Sequence, residues 1–211
     1  ADLDELEDVL RDNGVLVLSD EVYEHIVFDG RQYLSLLARP SLAARSFVVS
    51  SFGKTLHCTG WKVGYCVAPP ALTTEFRKVH QFVQFAVAAP MQSALARFLG
   101  ECPQHARELA QFYQHKRDRF CRLLEGTALR CVPSSGTYFQ LADYATVSDL
   151  PDVDFARWLT REAGVAAIPI SVFSATPATG RVVRFCFAKN DATLDAAAER
   201  LARFAVPGGS I

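Results

Sequence analysis

Phe47-Val48-Val49-Ser50-Ser51-Phe52-Gly53-Lys54-Thr55 joins a short apolar run to a glycine, a lysine and a threonine. A run of this length, bounded by polar residues, reads as a buried strand in a layered sheet. Gly53-Lys54-Thr55 invites comparison with a phosphate-binding loop. That loop needs a glycine five residues before Gly53, and the position is Val48. The backbone therefore cannot curl around a nucleotide phosphate. Lys54 instead follows its strand directly, and in an open α/β sheet ligands bind outside the carboxyl ends of the strands. A lone lysine there is ordinarily exposed and idle, so its neighbours decide.

On the N-terminal side, Leu3, Leu6 and Leu10 have helical spacing, Asn13-Gly14 is a helix stop, and Val15-Leu16-Val17-Leu18 reads as a buried strand. It ends in Ser19-Asp20-Glu21-Val22-Tyr23, which stands to its strand as Lys54 stands to the second. Asp20 and Tyr23, three residues apart in a turn, can point the same way. On the C-terminal side, Thr59-Gly60-Trp61-Lys62-Val63-Gly64 supplies a second cation, and a third strand, Gly64 to Ala68, stops at Pro69-Pro70. Helical patterns follow from Leu72 to Val87, Pro90 to Leu99 and Pro103 to Leu124. After Gly126 short strands (129–132, 137–141, 165–168, 182–187) alternate with helices near 155–162 and 192–204, and Ser174 to Gly180 reads as a surface loop. The expectation is an α/β layer followed by a smaller α+β domain.

The 211 residues carry 22 basic and 23 acidic side chains, interspersed along the chain, so no basic face of the kind nucleic acid needs is present. Lys116-Arg117-Asp118-Arg119 with Arg122 reads as a solvated helix face. Six scattered cysteines lack zinc-ligand spacing and read as reduced, mostly buried thiols of a cytoplasmic protein, with no metal site expected. No apolar run approaches the ~20 residues that span a bilayer, and the acidic Ala1-Asp2-Leu3-Asp4-Glu5 is not a secretory signal.

SDEVYEHIVFDG (19–30), SFGKT (51–55), TGWKVGY (59–65), GTYF (136–139) and RFCFAKND (184–191) occur in this order. Together they resemble the class I, fold-type-I aminotransferases that depend on pyridoxal 5'-phosphate, in the branch containing the methionine and kynurenine/glutamine transaminases. The resemblance covers residues 3–204 and implies that the chain is the C-terminal half of such an enzyme. Residues 1–108 would be the end of the cofactor-binding large domain, and 109–211 the small domain, entered through a long helix. The resemblance assigns Lys54 as the lysine that forms the Schiff base, Asp20 to the pyridine nitrogen, Tyr23 to the ring hydroxyl, and Ser51 and Lys62 to the phosphate. Arg184 would grip the substrate α-carboxylate, where the planar fork of arginine suits two-point binding. Read from the residues alone, Arg184 is equally a structural ion pair, with Arg181 as a loop-facing rival.

The implied reaction moves the amino group of an L-amino acid (methionine, aromatic, glutamine or kynurenine type) to a 2-oxo acid. A homodimer is the implied assembly of the parent, with neither nucleic acid nor membrane as partner. Two alternatives stand beside it: a β-lyase acting on cysteine conjugates through the same lysine, and a truncated, non-catalytic domain. The phosphate-capping loop and the ring-stacking aromatic belong to the family's other half, so the piece is expected to be inactive alone. Trp61 and Tyr65 read as packing around the site loop. His25, His57 and His80 show no ligand pattern, and core packing is the favoured reading for Phe82 and Phe85.

Overall fold

The computed structural model describes residues 2–175 and 180–203, so residues 176–179 of the expected surface loop and Phe204 of the expected last helix lie outside the described residues. The chain divides into two compact units, Ala1–Ala110 and Gln111–Ile211.

In the first unit, acidic Asp2, Asp4 and Glu5 open helix α1 (Asp2–Leu10), where they offset the positive end of the helix dipole. A three-stranded sheet follows in the order β1 (Val17–Asp20), β2 (Ser46–Ser51), β3 (Gly64–Val67). β1 and β2 are parallel and β3 is antiparallel to β2. Between β1 and β2 the chain makes a short turn, Leu36–Ala38, and helix α2 (Pro40–Ala43). Leu10, Leu36, Leu42 and Val48 form the core, with Leu3, Leu6 and Val17 packed against it. The first strand starts two residues later than expected. Leu18 is exposed because, among the described residues, nothing covers its face of β1, and Val15 and Leu16, which precede the strand, are exposed as well.

The single-turn helix α3 (Phe52–Thr55) is capped by Ser51, whose Oγ accepts from Gly53 N at 3.2 Å. Helices α4 (Pro70–Val83) and α5 (Ala89–Glu101) both carry proline in the first turn, where its missing N–H costs nothing. The core-packing expectation for Phe82 and Phe85 is overturned: they are 85% and 80% exposed, and Phe85 has φ +63°.

Helix α6 (His105–Leu124) leads into the second unit. Its antiparallel sheet has the order β4 (Arg130–Cys131), β5 (Phe139–Asp143), β7 (Val182–Cys186), β6 (Ile168–Pro169). Gln140, Ala142, Val183 and Phe185 are buried on one face, with the Phe185 ring 5.8 Å from Phe120 of α6. Leu141, opposite Arg184, and Ile168, on its other side, lie half open on the second face. Buried Gln140 is fully used: its Nε2 donates to Val132 O and Leu141 O, and its Oε1 accepts from Ser134 N.

Helix α7 (Asp152–Trp158) runs on as a π-helical turn, Leu159–Ala163, which Gly164 ends at φ +64°. Val165 N still bonds back to Leu159 O, so the expected strand at 165–168 shortens to Ile168–Pro169. Phe155 lies 3.8 Å from Tyr144 in a parallel stack, both rings fully buried. Such a side chain contributes ~1.5–3 kcal/mol by burial. Helix α8 (Asp191–Ala202) is capped by Asn190, whose Oδ1 accepts from Thr193 N at 2.8 Å.

The expected solvated basic face of α6 is a set of ties instead. Arg117, 3% exposed, bonds Asp118 and the Ser134 carbonyl, while Lys116 and Arg119 pair with Asp191 and Asp195 of α8. The six cysteines are free and partly buried. No helix among the described residues is long and apolar enough to cross a membrane.

Candidate active site

Register brings five of the six candidate residues to one end of the first sheet. Asp20 ends β1 opposite Val49, and Ser51 ends the parallel strand β2. Gly64 opens the antiparallel strand β3 opposite Ser51, so Lys62, two residues earlier, lies at the same end. The turn 21–25 continues from Asp20, and α3 from Ser51, so Tyr23 and Lys54 belong there too. Lys54 Nζ is 5.9 Å from the centre of the Tyr23 ring.

Two glycines make this end compact. A Cβ on Gly53 would come within 2.9 Å of Thr59 Cα, and one on Gly64 within 2.5 Å of the Ser50 carbonyl oxygen. Lys62 is exposed and holds a left-handed conformation, φ +57°, which is uncommon for a residue with a side chain. Asp20 is exposed, and its Oδ1 accepts from Val22 N at 3.2 Å.

Sequence reasoning did not single out the two glutamates of the same turn. Glu21, 4% exposed, accepts from Ser19 Oγ at 3.0 Å and Leu36 N at 3.1 Å. Glu24 accepts from Ser50 Oγ at 2.7 Å and from the Tyr65 hydroxyl. Glu24 thus pins the turn carrying Asp20 and Tyr23 to β2 and β3, and Glu21 ties it to β1 and the turn at Leu36. Burial, then the Glu21 charge and hydrogen bond, push the Tyr33 phenol up. Burial and the Glu24 hydrogen bond do the same to Tyr65. The three acids within SDEVYE, directly after a strand end, were the available signal. On the far side of α3, His105 Nε2 lies 2.8 Å from Thr55 O and meets His57 edge to face at 5.3 Å.

The sixth candidate, Arg184, belongs to the second unit, on the half-open face of β7. Its guanidinium carbon is 4.1 Å from the Phe139 ring centre and 5.1 Å from that of Phe173. Its Nε is buried and has no hydrogen-bond partner among the described residues. The rival Arg181 is taken, pairing with Asp149 at 2.6 Å. Arg184 also lines a cavity of about 670 Å³ with Phe139, Ile168 and residues of α8. Among the described residues, no three His, Cys, Asp or Glu side chains are placed to hold a metal ion.

Comparison with known proteins matches residues 1–201 to the family described as aminotransferase class I and II. The Escherichia coli methionine aminotransferase is 52% identical over 201 residues, covering 95% of this chain and 52% of the relative. A Rattus norvegicus kynurenine–oxoglutarate transaminase is 34% identical over 219 residues, covering 94% and 48%. Among solved structures, an Escherichia coli protein reported to have a methionine aminotransferase function superposes with TM-score 0.92 at 51% identity, over 96% of this chain and 53% of that one. The N-succinyldiaminopimelate aminotransferase of Mycobacterium tuberculosis does so with TM-score 0.88 at 35% identity, over 95% and 52%. The chain spans about half the length of the curated relatives it matches.

Proposed function

This chain belongs to the class I and II aminotransferase family, and from that premise we propose that it is the C-terminal half of a pyridoxal-phosphate-dependent transaminase acting on an L-amino acid and a 2-oxo acid. The fold is the fold-type-I one of its structural neighbours. The observation that carries the proposal is the convergence of Asp20, Tyr23, Ser51, Lys54 and Lys62 at one end of a sheet, beyond the carboxyl ends of β1 and β2. Residues 1–108 then form the remainder of the cofactor domain and 109–211 the small domain. The identity to a methionine aminotransferase favours methionine or an amino acid of similar side chain as substrate.

The donor set fits the cofactor: an amine for its aldehyde, a carboxylate for its ring nitrogen, a phenol for its ring oxygen, and a hydroxyl with an ammonium for its phosphate. Bound there, pyridoxal phosphate supplies an electron sink for the carbanion at the substrate α-carbon. Lys54 Nζ would hold the cofactor through its aldehyde carbon, and as a free amine would move the proton at the substrate α-carbon. Asp20 keeps the ring nitrogen protonated. The Tyr23 hydroxyl donates to the ring oxygen, and Ser51 Oγ and Lys62 Nζ take the phosphate oxygens. Arg184, whose Nε has no hydrogen-bond partner among the described residues, takes the α-carboxylate through two parallel hydrogen bonds. A cytoplasmic homodimer is the assembly expected of the parent.

The test compares the 211-residue chain alone with a fusion that places the N-terminal half of the Escherichia coli methionine aminotransferase before residue 1. The fusion should transfer the amino group of methionine or an aromatic amino acid to a 2-oxo acid, and the chain alone should not. Comparable turnover by the chain alone would refute the half-site reading. Pyruvate release from cysteine conjugates without amino transfer would refute the transaminase.

A further inference from the structure

We propose that Phe173 is a recognition residue of the carboxylate subsite, covering the Arg184 guanidinium, and that Asp152 positions it. The inference rests on Arg184 being the carboxylate ligand.

Arg184 is in cation–π range of two rings that are held in very different ways. Phe139 needs no special support. It sits on β5 opposite Cys186, diagonal to Arg184 on the same sheet face, and the strand ladder fixes it. Phe173 has no ladder. It ends a three-residue 3-10 turn, Ser171–Phe173, and is 66% exposed. An exposed aromatic side chain of this size gains little from burial, so its place over Arg184 has to be fixed by its backbone.

The backbone is fixed by Asp152. This carboxylate, 7% exposed at the start of α7, accepts from Ser171 N at 2.7 Å and from Ser171 Oγ at 2.6 Å. Both bonds are charge-assisted and short. Burial pushes the Asp152 carboxyl up, but the two hydrogen bonds from Ser171, together with those from the Val153 and Ile170 backbone, outweigh it and hold the group below the ordinary carboxylate range. The clasp is therefore ionised and intact at neutral pH. Phe173 N to Ile170 O, at 3.1 Å, completes the turn.

A buried charge is spent on a turn whose exposed ring caps an arginine whose Nε has no partner among the described residues. Such a cap excludes water from one face of the guanidinium, which strengthens a salt bridge formed there. It also leaves an apolar wall beside the bound carboxylate. The ligand class is an α-amino or α-oxo monocarboxylate.

Phe173→Leu keeps apolar bulk and removes the ring, and Asp152→Asn removes the charge. Arg184→Lys controls for the underlying reading. In the fusion, Phe173→Leu should raise KM for both amino acid and oxo acid about 2–5-fold, the size of a partly exposed cation–π contact, and leave kcat and the turnover of amines lacking a carboxylate unchanged. Asp152→Asn should act in the same direction. In the 211-residue chain with ¹⁵N-labelled arginine, the Arg184 Hε resonance should move downfield in both variants as the ring current is lost. Unchanged KM in both variants while Arg184→Lys still penalises only carboxylate substrates would overturn the role of Phe173 and leave Arg184 standing. Equal losses on amines and amino acids in Arg184→Lys would instead sink the reading beneath it. If the fusion is inactive, the resonance decides: an Hε unmoved by Phe173→Leu overturns the proposal.

Discussion

Replacing Arg184 by lysine keeps the positive charge and removes the fork. Arg184 Nε is buried without a hydrogen-bond partner among the described residues, while the neighbouring Arg181 is already paired with Asp149. The change should therefore cost recognition and leave stability nearly unaffected. A charge-assisted hydrogen bond contributes ~1.5–3 kcal/mol, and a lysine can make one such bond where the fork makes two. One lost bond corresponds to roughly a 10- to 150-fold fall in kcat/KM, at ~1.4 kcal/mol per factor of ten. The assay is steady-state transamination by the fusion with methionine, its 2-oxo acid, and an amine of the same side chain lacking the carboxylate. Both carboxylates should lose affinity and the amine should not. Equal losses across the three, or a fall of several degrees in Tm, would refute the reasoning by showing that Arg184 holds the sheet together.

Asp20→Asn should leave cofactor binding largely intact and lower transamination ~10²–10³-fold, because electrostatic support of this kind is worth that much in an active site; near-normal rates would make the carboxylate structural. Burial, then the neighbouring His105, hold the His57 imidazole below its ordinary value. The unfolded chain therefore binds more protons just below pH ~6.5, and stability should fall as pH drops through that window. His57→Asn, tolerated at φ +56°, should flatten the dependence of the urea midpoint between pH 7.5 and 5.5; an unchanged slope would remove His57 as a cause.

Lys54 and Asp20 were legible because each follows a recognisable apolar run, and a parallel pair of strands brings two such ends together without further information. Lys62 came from the resemblance alone, and its place at the same end follows from the antiparallel return of β3, which the sequence did not show. Arg117 was not: helical periodicity reports which residues share a face, and nothing in α6 itself reveals that Ser134 and α8 cover that face. The same limit hid the turn that ends in Phe173, whose Ser171 is held by Asp152 from 19 residues away. The exposed Leu18 and Phe82 break the rule that apolar runs are buried, because among the described residues nothing lies over them. Val165 failed for a local reason, its N–H still serving the end of the preceding π turn.

The most direct test of the central claim is to load the fusion with pyridoxal phosphate, reduce it with borohydride and map the labelled peptide by mass spectrometry. The label should fall on Lys54, in the peptide spanning Phe52 to Thr55. Label on Lys62 or Lys78 instead would contradict it.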